Sequence, residues 1–172
     1  LPDVDESILA SDKKPDQYCI CLAEMKANTI SQHYPQSLVI GADTIVVLEG
    51  QILNKPDDRY QAENMLSRLS GKTHQVYTGV CLKWLENNIH HTFAEITLVT
   101  FRTLDKDDIL HYIDLCPPYD KAGSYGIQDW SAVFVKNIQG CYDNVVGFPL
   151  ARFYQELQTL GINLLDSISE SS

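Results

Sequence analysis

An acid stands in the middle of an apolar run: residues 38–48 read LVIGADTIVVL, with Asp43 between an alanine and a threonine. Burying a carboxylate without a partner is costly, so Asp43 calls for hydrogen-bond donors, a cationic side chain or a metal ion. Backbone amides or a lysine would satisfy it structurally, and a reacting water or a metal would satisfy it functionally; read alone, the residue fits both. Glu6, in the stretch Asp3-Val-Asp-Glu, is a second acid. Two carboxylates converging on one place would hold a hard cation through oxygen ligands, whereas Glu6 by itself reads as a surface acid. Lys26, Lys55, Lys72 and Lys121 each stand beside a structural punctuation point. There the end of an element can aim an ammonium into a cleft, although each lysine alone reads first as solvent-facing. Residues 120–128, DKAGSYGIQ, combine Asp120 and Lys121, two glycines, Tyr125 and the amide of Gln128. Charge, close backbone approach, a ring and a donor–acceptor group together are what a nucleotide-contacting loop needs, and more than a plain connector needs.

The composition narrows what such residues act on. The chain has 172 residues, 44% hydrophobic and 21% charged, which is ordinary globular usage and sufficient for one core. We read residues 1–165 as one folded unit and 166–172 as a polar tail. A formal net charge of -10 argues against holding duplex DNA or RNA by neutralising phosphates, so an anionic ligand needs a local cationic cleft. Five cysteines form an odd set with no CxxC spacing, which fits reduced thiols better than a disulfide framework or a zinc ribbon. The pair Cys19 and Cys21 reads as helix packing rather than a soft-metal site. No apolar run reaches membrane-spanning length and the start lacks signal-peptide character, so the expected location is the cytoplasm, with no membrane partner.

The elements that must position these residues follow from periodicity. A helix is expected over Asp16 to Asn28, with Leu22, Ala23 and Met25 toward one side and Lys26 at its edge. Leu38 to Leu48 reads as a buried strand, turned by Glu49-Gly50 into Gln51-Ile-Leu. Asp57 is expected to cap a helix after Pro56 that carries Leu66 and Leu69 and ends at Gly71. His74 to Leu85 and His90 to Phe101 read as a long hairpin, and Asp105 to Leu115 as a helix stopped by Pro117-Pro118. Strand character resumes over Ala132 to Ile138, and a last helix runs from Pro149 to about Leu160. Strands and helices without a regular βαβ repeat imply an α/β (α+β) fold with a mixed sheet.

In order along the chain stand Gly-Ala-Asp-Thr at 41–44, Leu-Asn-Lys-Pro at 53–56, Leu-Ser-Gly-Lys-Thr-His-Gln-Val-Tyr-Thr-Gly at 69–79, and the 120–128 loop. Asp5-Glu6, Leu22-Ala23, Lys26-Ala27 and Val146-Gly-Phe-Pro149 accompany them. This ordered set resembles the Maf septum-formation family across nearly the whole chain. The resemblance implies a Maf/ITPase-like mixed sheet flanked by helices, with a substrate cleft between two lobes. It implies hydrolysis of a nucleoside triphosphate between its α and β phosphates, with Mg, Mn or Co as cofactor. Lys121, Tyr125 and Gln128 look like the branch acting on dTTP, UTP and modified pyrimidine triphosphates. Carried over by motif, Asp43 would be the proton acceptor and, with Glu6, a metal ligand; Thr44 and Gln128 would read the base. Lys26, Lys55 and Lys72 would bind phosphate oxygens, and Asp120 falls among the substrate-binding residues. Family members often form homodimers, which makes a second copy an implied partner. The family opens with a strand and a Ser-x-Ser-Pro-Arg-Arg loop, and the sequence starts after that point; the expectation is that this strand and phosphate loop are missing. A catalytically weak nucleotide-binding module is the alternative that follows.

Overall fold

The computed structural model describes residues 13–163. The expectations that concern Glu6, the opening strand and the polar tail lie outside these residues. Helix α1 spans Pro15–Ser31, with proline in its first turn, where a missing N–H costs nothing. Cys19, Leu22, Ala23 and Ala27 are its buried stripe, at the spacing of one helical face. Strands β1 (Val39–Leu48) and β2 (Gln51–Leu53) are joined by Glu49 at φ 52° and Gly50 at φ 80°. Two consecutive positive φ angles match the twist of a tight hairpin.

Helix α2 covers Arg59–Leu69 and is capped by Asp58, not by the expected Asp57. Asp58 accepts from the Gln61 N–H at 2.8 Å, while Asp57 holds the Gln61 side chain at 3.0 Å. The cap thus sits one residue inward, on Asp58, whose extended backbone (φ -150°) directly precedes the first helical residue and lets its carboxylate reach the Gln61 N–H. Gly71, at φ 70°, follows the helix end as expected. Strands β3 (Thr73–Trp84) and β4 (Ile89–Phe101) form the long hairpin, and α3 (Lys106–Leu115) begins at Asp105, whose carboxylate accepts from Asp108 N–H.

Two short 3₁₀ turns, Ala122–Ser124 and Trp130–Phe134, precede β5 (Val135–Gln139). The second turn occupies the first half of the strand expected from Ala132, because Asp129 accepts from Ser131 N–H and winds the chain there. Helix α4 (Tyr142–Val146) was not foreseen, and α5 covers Leu150–Thr159.

The sheet order is β2-β1-β3-β4-β5. Each ladder among the described strands is antiparallel, so the pairing within them is not mixed; tight turns link β1 to β2 and β3 to β4, whereas α2 lies between β2 and β3 and α3 between β4 and β5. The α/β architecture stands, with helices on both faces. One face of the sheet carries α1, whose Ala23 and Ala27 pack beside Val39 and Cys81. The opposite face carries two clusters. Val46, Val76 and Phe101 pack with α2 and α3, and Val80, Leu82 and Phe93 pack with α5. The place where these clusters part is where the chemistry-bearing residues gather.

Candidate active site

A cavity of about 450 Å³ opens there, lined by Lys26, Asp43, Thr44, Lys55, the 120–129 loop and the Val145–Gly147 rim. Asp43 and Thr44 are consecutive in β1 and therefore face opposite sides of the sheet. Both line this cavity, at a stretch of β1 beyond its pairing with β2, which covers Val46 to Leu48. Asp43 meets Lys26 of α1, whose Nζ donates to Asp43 Oδ1, and the Asp43 side chain is only 11% exposed. Thr44 lies under the α4 rim, its Oγ1 2.8 Å from Thr78 Oγ1 and 3.4 Å from the Gly147 carbonyl.

The 120–128 loop is folded by its own residues. Gly123 has φ 66°, and a Cβ there would meet the Val46 side chain at 2.9 Å, so only glycine lets the loop rest on β1. Its N–H donates to the Asn54 carbonyl, which brings the Lys55 segment beside the loop. A Cβ on Gly126 would strike the Lys121 chain at 2.9 Å; without it, Lys121 lies back over the loop and donates to Asp120 at 2.8 Å. That hydrogen bond holds the Asp120 carboxyl below the usual carboxylate range. Asp120, Lys121 and Lys55 thus stand together at the mouth, where exposed Gln128 also lies.

Two expected site residues have other surroundings. The Tyr125 ring lines the cavity floor, but its hydroxyl turns into the core and pairs with His74 Nε2 at 2.8 Å. Burial pushes that phenol up and His74 down from 6.5 to about 4, so both are neutral. Tyr125 is a post under the loop, packed on Phe101 with ring centroids 4.8 Å apart. Lys72 does not line the cavity; it donates to Glu49 at 2.9 Å on an exposed flank. It stands one residue before β3, and that strand carries it to the β1–β2 turn.

Sequence reasoning passed over Thr78, Asn144 and Gly79. The Thr-Gly pair at 78–79 and the Val-Gly-Phe-Pro run at 146–149 carried signal only as pieces of longer motifs. Phe148, the aromatic residue of the Val146–Pro149 run, packs on Phe153 with ring centroids 5.0 Å apart.

As for a metal, no group of three or more His, Cys, Asp or Glu side chains able to hold one occurs among the described residues. A magnesium-like ion bound to a nucleotide nevertheless takes only one or two protein carboxylates, with phosphate and water oxygens filling the rest. Asp43, in a cleft that also offers the ammonium groups of Lys26, Lys55 and Lys121, fits that mode. The arrangement as a whole suits an anion carried with a cation: Lys26, Lys55 and Lys121 converge from three segments, Asp43, Asp120 and Asp129 stand among them, and an apolar floor lies next to hydrogen-bonding groups.

The profile of Maf-like proteins matches residues 1–160. The dTTP/UTP pyrophosphatase of Carboxydothermus hydrogenoformans is 43% identical over 160 residues, covering 93% of this chain and 85% of that protein. That of Bacillus pumilus is 52% identical over 141 residues, covering 82% of this chain and 74% of its own length. That of Symbiobacterium thermophilum is 46% identical over 162 residues, covering 94% and 81%. Matched by the family profile over residues 1–160 and by these relatives over 82–94% of its length, the chain belongs to the Maf family.

Proposed function

We propose that this protein is a nucleoside triphosphate pyrophosphatase that cleaves dTTP- and UTP-type nucleotides between the α and β phosphates, releasing the monophosphate and pyrophosphate. The observation that carries this reading is the Lys26–Asp43 pair inside a cleft shared with Lys55, Lys121, Thr44 and Gln128. The names of the relatives, dTTP/UTP pyrophosphatases, support the substrate class.

In this reading the triphosphate tail enters among Lys26, Lys55 and Lys121, which offset its charge and hold it for in-line displacement. Asp43 accepts a proton from the attacking water once the phosphates draw Lys26 toward themselves. Thr44 and Gln128, which line the same cleft, meet the base. Asp43, with Glu6 from outside the described residues, would hold a divalent cation such as Mg, Mn or Co, whose charge would neutralise phosphate oxygens. The same reading puts the enzyme in the cytoplasm, with a second copy of the chain as partner. It is supported there by the family resemblance and by the lack, among the described residues, of a helix long and apolar enough to cross a membrane.

The test is pyrophosphate release from a panel of nucleoside triphosphates with Mg or Mn, beside an Asp43→Asn control. Cleavage of dTTP or UTP that drops at least a hundredfold in the control supports the reading. A folded chain that binds nucleotide but cleaves none is a binding module instead.

A further inference from the structure

The cleft that would receive a polyanion is not itself positive. Lys26, Lys55 and Lys121 line it together with Asp43, Asp120 and Asp129, so among the described residues its formal charge is zero. The chain around it is acidic as well, with a net charge of -10. A free nucleoside triphosphate carries about four negative charges at neutral pH, and about two once a divalent cation rides on its phosphates.

The three acids differ in what they do for the fold. Asp43 is nearly buried and meets Lys26. Asp129 is built into the scaffold of the loop, accepting from the Tyr112 hydroxyl at 3.1 Å and from the Ser131 N–H at 2.8 Å. Asp120 has no such duty. Its side chain is 78% exposed, and the side chain that donates to it is its neighbour Lys121, at 2.8 Å. The Lys121 hydrogen bond first, and the charge of Lys55 after it, hold the Asp120 carboxyl below the usual carboxylate range, so both ammonium groups act on this one carboxylate. Asp120 thus engages the two lysines at the mouth in the way a phosphate oxygen would.

We infer that Asp120 is a specificity-determining residue that makes the cleft take a nucleoside triphosphate as its divalent-cation complex and reject the free anion. This deepens the pyrophosphatase reading and rests on its assignment of the cleft to a nucleotide. A phosphate that draws Lys121 away leaves the Asp120 carboxylate facing it. A unit charge acts on a ligand in proportion to the ligand's own charge, so Asp120 repels the free anion about twice as strongly as the complex. A hard cation carried on the phosphates is itself a partner for a carboxylate oxygen, which favours the complex further. Nucleotide that arrives without its cation is thereby kept from occupying the site.

The test is equilibrium binding, which needs no turnover. A dTTP analogue with a methylene bridge between the α and β phosphorus atoms, which cannot be cleaved there, is titrated at neutral pH and fixed ionic strength into the parent chain, Asp120→Asn and Asp120→Glu. Each titration is run once with Mg and once with EDTA, and the ratio of the two dissociation constants is the readout. Asp120→Asn is near-isosteric and lies at an exposed position, where substitution leaves folding intact. It is expected to bind the metal-free analogue about tenfold more tightly, and the Mg complex at most about threefold more tightly, as a ligand of half the charge implies. The preference for the Mg complex therefore falls by a factor of about three or more, and Asp120→Glu, which keeps the charge, retains it. Loss of a merely structural contact would weaken both forms alike and leave the ratio intact. A parent that binds the analogue as well in EDTA as in Mg, or an Asp120→Asn variant that keeps the parent ratio, overturns this inference alone. A folded parent that binds the analogue in neither condition overturns the pyrophosphatase reading, and the inference with it.

Discussion

Gly79 lies directly across the β1–β3 ladder from Asp43, and the backbone of Cys19 in α1 occupies the place where a side chain at 79 would stand. A Cβ on Gly79 would come within 2.4 Å of the Cys19 carbonyl carbon, and one on Gly41 within 2.2 Å of the Ala23 carbonyl oxygen. These two bare positions let α1 lie against the sheet backbone. That closeness is what brings Lys26 to Asp43.

Gly79→Ala forces backbone against backbone, which cannot yield as a flexible side chain would. The expected result is a loss of stability of about 1–3 kcal/mol, the usual cost of overpacking, together with reduced pyrophosphate release. Urea unfolding and activity measured on one preparation check both; a variant equal to the parent in each would show that α1 can lift without consequence.

Lys26→Met removes a cation from an acid that is 11% exposed. Turnover is expected to fall about 10²-fold, the order seen when one preorganised electrostatic contact is lost. Lys26→Arg should restore only part of it, because a planar guanidinium does not occupy the place of a compact ammonium. Single-turnover kinetics read this out; full activity in Lys26→Met would assign the pair to structure alone.

His74 makes stability depend on pH in a defined direction. Burial lowers its folded value from 6.5 to about 4, so between these values the unfolded chain binds a proton that the folded chain does not. Stability therefore falls as pH drops through that window, by at most about 1.4 kcal/mol per unit. Above 6.5 both states are neutral and His74 contributes no slope. His74→Gln, which retains a hydrogen-bonding group toward Tyr125, should flatten the urea midpoint between pH 6.5 and 4.5; an unchanged slope would assign the dependence to carboxylates.

Lys72→Ala is expected to leave kcat/KM unchanged and stability within about 0.5 kcal/mol, since Lys72 pairs with Glu49 on an exposed flank outside the cleft. A tenfold loss of activity would return Lys72 to the phosphate site.

The thiols should fall into two classes. Cys19 and Cys81 are buried, with thiols pushed up to about 12 and 11 chiefly by desolvation, while Cys21, Cys116 and Cys141 are half-buried. Thiol labelling of the native protein should modify at most the latter three, and all five after unfolding; rapid labelling of Cys19 would mean that α1 opens.

What could be read from the residues alone was whatever repeats or punctuates locally. The apolar run through Asp43 marked β1, Glu49-Gly50 marked its turn, Gly71 and Pro117-Pro118 marked helix ends, and each was found within a residue or two. The order of motifs identified the family, because spacing along the chain survives without coordinates. Asp43 stood out since a carboxylate in a β-branched run is anomalous in one dimension.

Tertiary structure decided which of the marked residues meet. Lys26 and Lys72 look alike in sequence, each beside the end of a helix, yet one reaches Asp43 and the other Glu49. Tyr125 read as a ligand contact, but β3 sets His74 beneath it and draws its hydroxyl into the core. The contact between Thr44 and the Gly147 carbonyl joins residues 103 positions apart, and no local pattern announces it. Periodicity reports which face of an element is apolar, whereas the direction of a hydrogen bond depends on which donors and acceptors the fold stacks behind it.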